Sequence, residues 1–315
     1  MMASDTSEAL RLDSSIVIVA GKGGVGSSTI ATATALAAAR RGAEVLYVPV
    51  DGRESAGRLL GADRITDADR ILRSVDGGGV IRARTISADQ AFGDYLDLKG
   101  VGAILRRAAS AASLPMIAAA TPGLEHLLVL GKIKELEREG AADLIIVDAP
   151  PAGHATPFLQ AASGLSDVIT SGPVLEQADE VAAMLRDPNR CSTVVVALPE
   201  STPVTEAIEL AADLDELDIA RTAPVLNAAW PDRLGLDRSP GMAGRGRQPK
   251  LSDGVKSALS VSVDFGRERL AVQRDQKRRL SDALGAPVVV PRRPTATLDV
   301  DDLEAIADAL EGKRA

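Results

Sequence analysis

Nine consecutive residues, Gly21-Lys22-Gly23-Gly24-Val25-Gly26-Ser27-Ser28-Thr29, have the types and spacing needed to hold a phosphate. Glycines let a backbone curl until successive N–H groups converge, and a helix starting at their end adds the positive end of its dipole. The pattern G-x-x-x-x-G-K-[ST] asks for two glycines, a lysine that neutralises the β/γ-phosphates and a hydroxyl that binds Mg²⁺. Gly21, Gly26 and Ser28 satisfy three of these positions, whereas Ser27 stands where the lysine belongs. A glycine-rich strand-to-helix turn without any ligand is the alternative explanation of the same residues. Two carboxylates, Asp51 and Asp148, each end a hydrophobic run. They could serve phosphate chemistry at the carboxyl edge of a sheet, or cap the helix that follows.

These groups need a scaffold, and the flanking pattern supplies one. Ile16 to Ala20 is a continuous apolar, β-branched run, the mark of a strand buried on both faces of a parallel sheet. Thr29 to Arg41 reads as an alanine-rich helix, and Val45 to Val50 as a second strand. Further strands are expected at Leu144 to Val147, Asp167 to Thr170, Thr193 to Leu198, Pro224 to Leu226 and Pro287 to Val290. Helices are expected at Glu176 to Arg186, Pro203 to Leu214 and Leu298 to Leu310. This alternation implies right-handed crossovers and an α/β fold, a doubly wound, mostly parallel sheet. Residues 87–140 give only helix signals and read as a helical insertion. Residues 231–254, rich in Gly, Pro and Arg, read as a flexible loop, and 1–14 as a disordered tail before one domain over 15–315.

Composition removes several function classes. The single Cys191 closes no intrachain disulfide, and with only His126 and His154 it builds no Cys/His zinc site. Any metal is therefore expected to be hard and oxygen-bound. Three Phe, two Tyr and one Trp offer no platform for single-stranded nucleic acid, and a net charge of −8 argues against phosphate neutralisation along DNA. Nucleic acid is not an expected partner. The first fifteen residues lack the apolar core of a signal peptide, and Ala108 to Leu124, the longest uncharged run, is too interrupted to span a bilayer. The chain reads as cytoplasmic, with peripheral membrane contact left open. His126 lies among leucines and reads as a core or boundary histidine.

Lys22, one residue after the first glycine, resembles the signature lysine of the deviant phosphate loop. The chain as a whole resembles the arsenite-pump and tail-anchored-protein-targeting ATPases. Asp51 matches their switch I aspartate, although Gly52-Arg53-Glu54 replaces the usual Pro-Ala-His. Asp148-Ala149-Pro150-Pro151-Ala152-Gly153-His154 is similar to their switch II signature, with both threonines replaced by alanine. Pro199-Glu200 through Glu206 and Val225-Leu226-Asn227 resemble two further family segments, and Gln273 to Leu310 resembles the closing helix-strand-helix.

The resemblance implies a phosphate-loop NTPase that binds ATP and Mg²⁺ and works as a nucleotide-sandwich dimer, homomeric or with a paralogue. It also implies a hydrophobic client or membrane-protein partner. It assigns the phosphates to backbone N–H groups of the loop, Mg²⁺ to Ser28 and, through water, to Asp148, and the attacking water to Asp51. Lys22 would act in the partner's site. Asn227 and Pro291 would contact the adenine, and the scarcity of aromatics leaves that task to them and to backbone groups. Ser27 opens a second possibility, a catalytically weakened subunit that regulates an active paralogue. Residues Leu105 to Leu130 could either line a client groove or pack on their own core.

Overall fold

The computed structural model describes residues 9–50, 54–62, 64–98, 123–168, 170–231 and 252–313. Its elements are β1 (Ile16–Gly21), α1 (Ser27–Arg40), β2 (Glu44–Pro49), α2 (Glu54–Leu59), β3 (Arg70–Ser74), β4 (Val80–Ala83), α3 (Ala88–Leu98), α4 (Leu124–Arg138), β5 (Leu144–Asp148), α5 (Ala152–Val168), α6 (Pro173–Arg186), β6 (Cys191–Ala197), α7 (Ser201–Glu216), β7 (Val225–Ala229), α8 (Asp253–Leu284), β8 (Val288–Pro291) and α9 (Val300–Leu310). The strands form one sheet in the order β3-β4-β2-β5-β1-β6-β7-β8. Every pairing is parallel except the antiparallel β3–β4 edge.

β1 shows why the sheet is wound on both faces. All six of its residues are buried. Ile16, Ile18 and Ala20 join a core with α4, α5, α6 and α7, while Val17 and Val19 join a second core with α1 and α9. An alternating strand could not serve two cores, which is why the run is apolar throughout. Burying each such Ile or Val side chain stabilises the fold by about 1.5–3 kcal/mol. Strand order reverses about β1, whose neighbours are β5 and β6, so the switch point of the sheet lies at the β1 carboxyl end.

Three features depart from the sequence expectation. Asp167 does not begin a strand; α5 runs through it to Val168. Phe158, Leu159, Ala162 and Leu165 of α5 lie on one helical face and are buried, and this packing overrides the breakers Pro157 and Gly164. The β3–β4 hairpin was not expected, because edge strands carry little of the apolar pattern: Ile71 is 64% exposed. Asp253 and Gly254 belong to α8, and residues 232–251 of the expected loop lie outside the described residues.

Within the expected insertion, α3 and α4 are present, and Leu124, Leu127, Leu128 and Leu130 pack into the chain's own core. Residues 99–122 lie outside the described residues. His126 is half-buried with its ring edge-on to Phe158, centroids 5.6 Å apart. Among the described residues no helix is long and apolar enough to cross a membrane.

Candidate functional site

The glycine-rich loop bridges the carboxyl end of β1 and the start of α1. Lys22, Gly23 and Gly24 are exposed, Val25 and Ser27 are buried, and Ser28 and Thr29 are half-buried, so one side of the loop is open and the other is anchored. Gly24 and Gly26 take φ of 89° and 85°, conformations that cost an L residue with a Cβ about 1–2 kcal/mol. Gly26 is constrained twice, since a Cβ there would sit 2.4 Å from Asn227 Nδ2. No side chain caps α1, and its first turn holds no acidic residue. The arrangement is an uncrowded anion cradle.

Ser27, in the position of the usual lysine, opens α1 and is 4% exposed. The loop's own cation is Lys22, half exposed, whose Nζ pairs with the Glu206 carboxylate on α7. The other carboxylate oxygen of Glu206 is buried without a partner among the described residues. Lys22 therefore has to exchange Glu206 for a phosphate before it can act on one. Sequence similarity had singled out the segment ending at Glu206, but not this contact.

Asp148 ends β5, in register with Val19 of β1 and Pro49 of β2, and is 2% exposed. Its Oδ2 accepts a hydrogen bond of 2.9 Å from the hydroxyl of Tyr47, a fully buried residue of β2. The structure thus brings Asp148 to the strand end beside the loop. Pro151 continues the contact, lying 3.8 Å from where a Gly23 Cβ would be. His154 is exposed and its backbone N–H donates to Pro151 O at 2.6 Å. Asp51 lies outside the described residues.

On the other side, Asn227 of β7 is buried and committed to the loop itself. Its Nδ2 donates to Val25 O at 2.8 Å, and its Oδ1 accepts from Ala228 N at 2.8 Å. Ala228 has φ 52°, and the β7–β8 register shifts between Leu226 and Ala229. Such strain costs of order 1–3 kcal/mol and tends to re-aim side chains beside sites. Beyond the shift, Ala229 faces Pro291, Arg292 N donates to Ala229 O at 2.7 Å, and Trp230 follows directly.

Cys191 is fully buried at the amino end of β6, opposite Ile16, away from the loop. Burial pushes its thiol up to about 12, so it stays protonated and unreactive. The basic stretch of α8 is largely engaged by its own chain: Arg269 pairs with Glu200, Arg279 donates to Thr205 and Arg278 pairs with Asp275.

A phosphate cradle at the switch point of a doubly wound parallel sheet, with a buried carboxylate on the next strand, defines a phosphate-loop α/β protein. A family model described as anion-transporting ATPase matches residues 14–172, and the chain belongs to that family. The ATPase BagA of Mycobacterium tuberculosis is 34% identical over 227 residues, which cover 69% of this chain and 66% of BagA. The arsenical pump-driving ATPases of Acidiphilium multivorum and Escherichia coli are each 26% identical, over 76% and 69% of this chain. The chain spans 66% of BagA but only 38% and 35% of those two proteins. The family match contains the loop and Asp148 but ends before Asn227, Trp230 and Pro291.

Proposed function

We propose that the chain is a Mg²⁺-dependent ATP hydrolase that works as a nucleotide-sandwich dimer and couples turnover to a transport or client-handling partner. The observation that carries this reading is the loop at Gly21 to Thr29, open over Lys22 to Gly24 and anchored where a Cβ at Gly26 would run into Asn227, set beside the buried Asp148. Similarity to ATPases, some of them named arsenical pump-driving, supports it. The donor set also suits Mg²⁺, which favours one or two carboxylates together with substrate phosphates over a closed protein cage. Among the described residues no cluster of three His, Cys, Asp or Glu forms such a cage.

In this reading, N–H groups from Gly23 to Ser28 hold the β- and γ-phosphates, and Ser28 with Asp148, the latter through water, holds the metal. Bound Mg²⁺ would neutralise charge developing on the phosphate oxygens. Tyr47 fixes the Asp148 carboxylate, Asp51 positions water, and Lys22 leaves Glu206 to reach the nucleotide across the dimer. Pro151, against Gly23, gives changes in the loop a path into α5.

Ser27 supports a second reading, a weakened subunit in a heterodimer with an active paralogue, because its buried place carries no cation. Steady-state turnover and ATP affinity of Ser27→Lys separate the two. The hydrolase reading expects turnover within about tenfold of the natural chain, a change of about 1.4 kcal/mol. A much larger gain at unchanged affinity favours the regulatory subunit.

A further inference from the structure

Away from the glycine-rich loop, α3, α4 and α6 border a cavity of about 420 Å³, a size within the range of about 300–1,000 Å³ common to small-molecule sites. It follows α4 from Leu128 to Glu139 and reaches Arg190, just ahead of β6. Since α4 leads into the amino end of β5, the cavity lies toward the amino edge of the sheet, opposite the edge that carries the loop. Ala91, Tyr95, Leu128 and Gly131 supply its apolar lining. A Cβ on Gly131 would sit 2.0 Å from Gln177 Nε2, so Gln177 of α6 reaches directly over α4 at that point.

One group in this lining is costly to place. Lys134 of α4 is 3% exposed, and a buried ammonium is tolerated only when it is paired and hydrogen-bonded. Its Nζ donates to Gln177 Oε1 at 3.2 Å, pairs with Glu180 of α6 and lies 3.4 Å from Glu135 Oε1. Both carboxylates are imperfect partners. Glu135 is engaged by Arg138, whose Nε and Nη2 donate to its Oε2 at 3.0 and 2.5 Å. The Glu180 side chain is 62% exposed, so its carboxylate keeps most of its water and can turn away at little cost. The other cations of the lining are answered by the chain itself: Lys132 by Asp94 at 2.6 Å, and Arg190 by Glu137 through bonds of 3.1 and 2.6 Å. An ion pair that only tied α4 to α6 would need no cavity beside it.

We propose that this cavity binds a small organic monocarboxylate, whose carboxylate replaces Glu180 on Lys134 while its apolar body lies against Ala91, Tyr95 and Leu128. The charges set the ligand class. One buried cation balances one negative charge, and a phosphate dianion would bring in a second that no spare cation of the lining answers. An amine would meet Lys134 with like charge, and a neutral ligand would gain no charge-assisted hydrogen bond. The site is separate from the nucleotide reading and is tested independently of it.

The test titrates the full chain by calorimetry with octanoate, 1-octanol, octylammonium and inorganic phosphate. Octanoate should bind at one site roughly 10- to 150-fold tighter than 1-octanol, the range for a hydrogen bond to a charged group, and neither octylammonium nor phosphate should displace it. Two variants distinguish a ligand site from a structural ion pair, because they should move octanoate affinity in opposite directions. Glu180→Gln removes the competing carboxylate and should tighten octanoate, whereas Lys134→Met should reduce it to the level of 1-octanol. Ala183→Phe, at an exposed position of α6 on the cavity lining, should block octanoate with the urea midpoint unchanged. Octanoate bound no tighter than 1-octanol would overturn the proposal. So would binding that survives Ala183→Phe, or that Glu180→Gln weakens or leaves unchanged, since the pair would then serve only to hold α4 against α6.

Discussion

At the β1–α1 turn the organising groups are backbone groups from one unbroken stretch, residues 21–29. At the β7–β8 edge the organising groups are instead side chains at positions 227, 230, 273 and 292, drawn from the end of β7, from α8 and from just past β8. The first region needs only glycines at points of positive φ and a helix without a cap, both local properties. The second depends on a bulge, a left-handed Ala228 and a clamp reaching across from α8. A curled stretch of backbone is specified by neighbouring residues, whereas an edge built from distant side chains is assembled by the tertiary fold.

The two regions meet at Asn227, which packs against Gly26 and donates to Val25 O, and disturbing it gives the largest expected effect. Gly26→Ala forces a Cβ into Asn227 Nδ2 at a left-handed φ. It should cost about 2–4 kcal/mol in urea unfolding, from overpacking and backbone strain together, and abolish tripolyphosphate binding. Asn227→Ala strips the donor from Val25 O and should cost about 1–3 kcal/mol. Removing the amide also makes room for the new methyl group, so the double variant should be more stable than the sum by about 0.5–3 kcal/mol. Strict additivity would show that the two regions are not joined as described.

A smaller effect is expected from Glu206→Gln, which sharpens the phosphate side. The Lys22–Glu206 pair is half exposed, and such pairs contribute about 0–1 kcal/mol. Freeing Lys22 should therefore raise apparent ATP affinity or turnover by no more than about fivefold. A fall to the level of Lys22→Ala would mean that Glu206 takes part in the chemistry.

Cys191 offers the control, since it lies at the amino end of β6, remote from both regions. Its folded value of about 12 lies above the ordinary thiol value of 9. The unfolded chain therefore loses this proton first, and no penalty exists below pH 9. Above it, stability falls by about 1.4 kcal/mol per pH unit until pH 12. Urea unfolding at pH 8 and pH 10 should show that loss in the natural chain and not in Cys191→Ala, with ATP affinity equal in both at pH 8.

Legibility in the sequence follows the same division. Ile16 to Gly21 announces a central strand because a both-face core leaves no polar position, and the loop is legible because its chemistry is contiguous. Asp148 is legible as a strand end because it closes a second such run. By contrast α5 was obscured by Gly153, Pro157 and Gly164, whose cost is outweighed by packing of Phe158 and its neighbours. The hydrogen bond from Asn227 to Val25 O, 202 residues away in sequence, has no local signature. The clamp on Trp230 is not legible locally, because it comes from Gln273, 43 residues further on. What reads well is periodic or consecutive, and what does not is a contact between distant segments.

Phosphate release from Mg²⁺-ATP by the purified full chain, against Lys22→Ala at matched ATP occupancy, tests the account most directly. Loss of one preorganised charge from a phosphoryl-transfer site costs about 2.7–4 kcal/mol, so the natural chain should turn over on the order of 100- to 1000-fold faster than the variant. Release that does not depend on Mg²⁺, or that is no faster than in Lys22→Ala, would contradict the hydrolase reading.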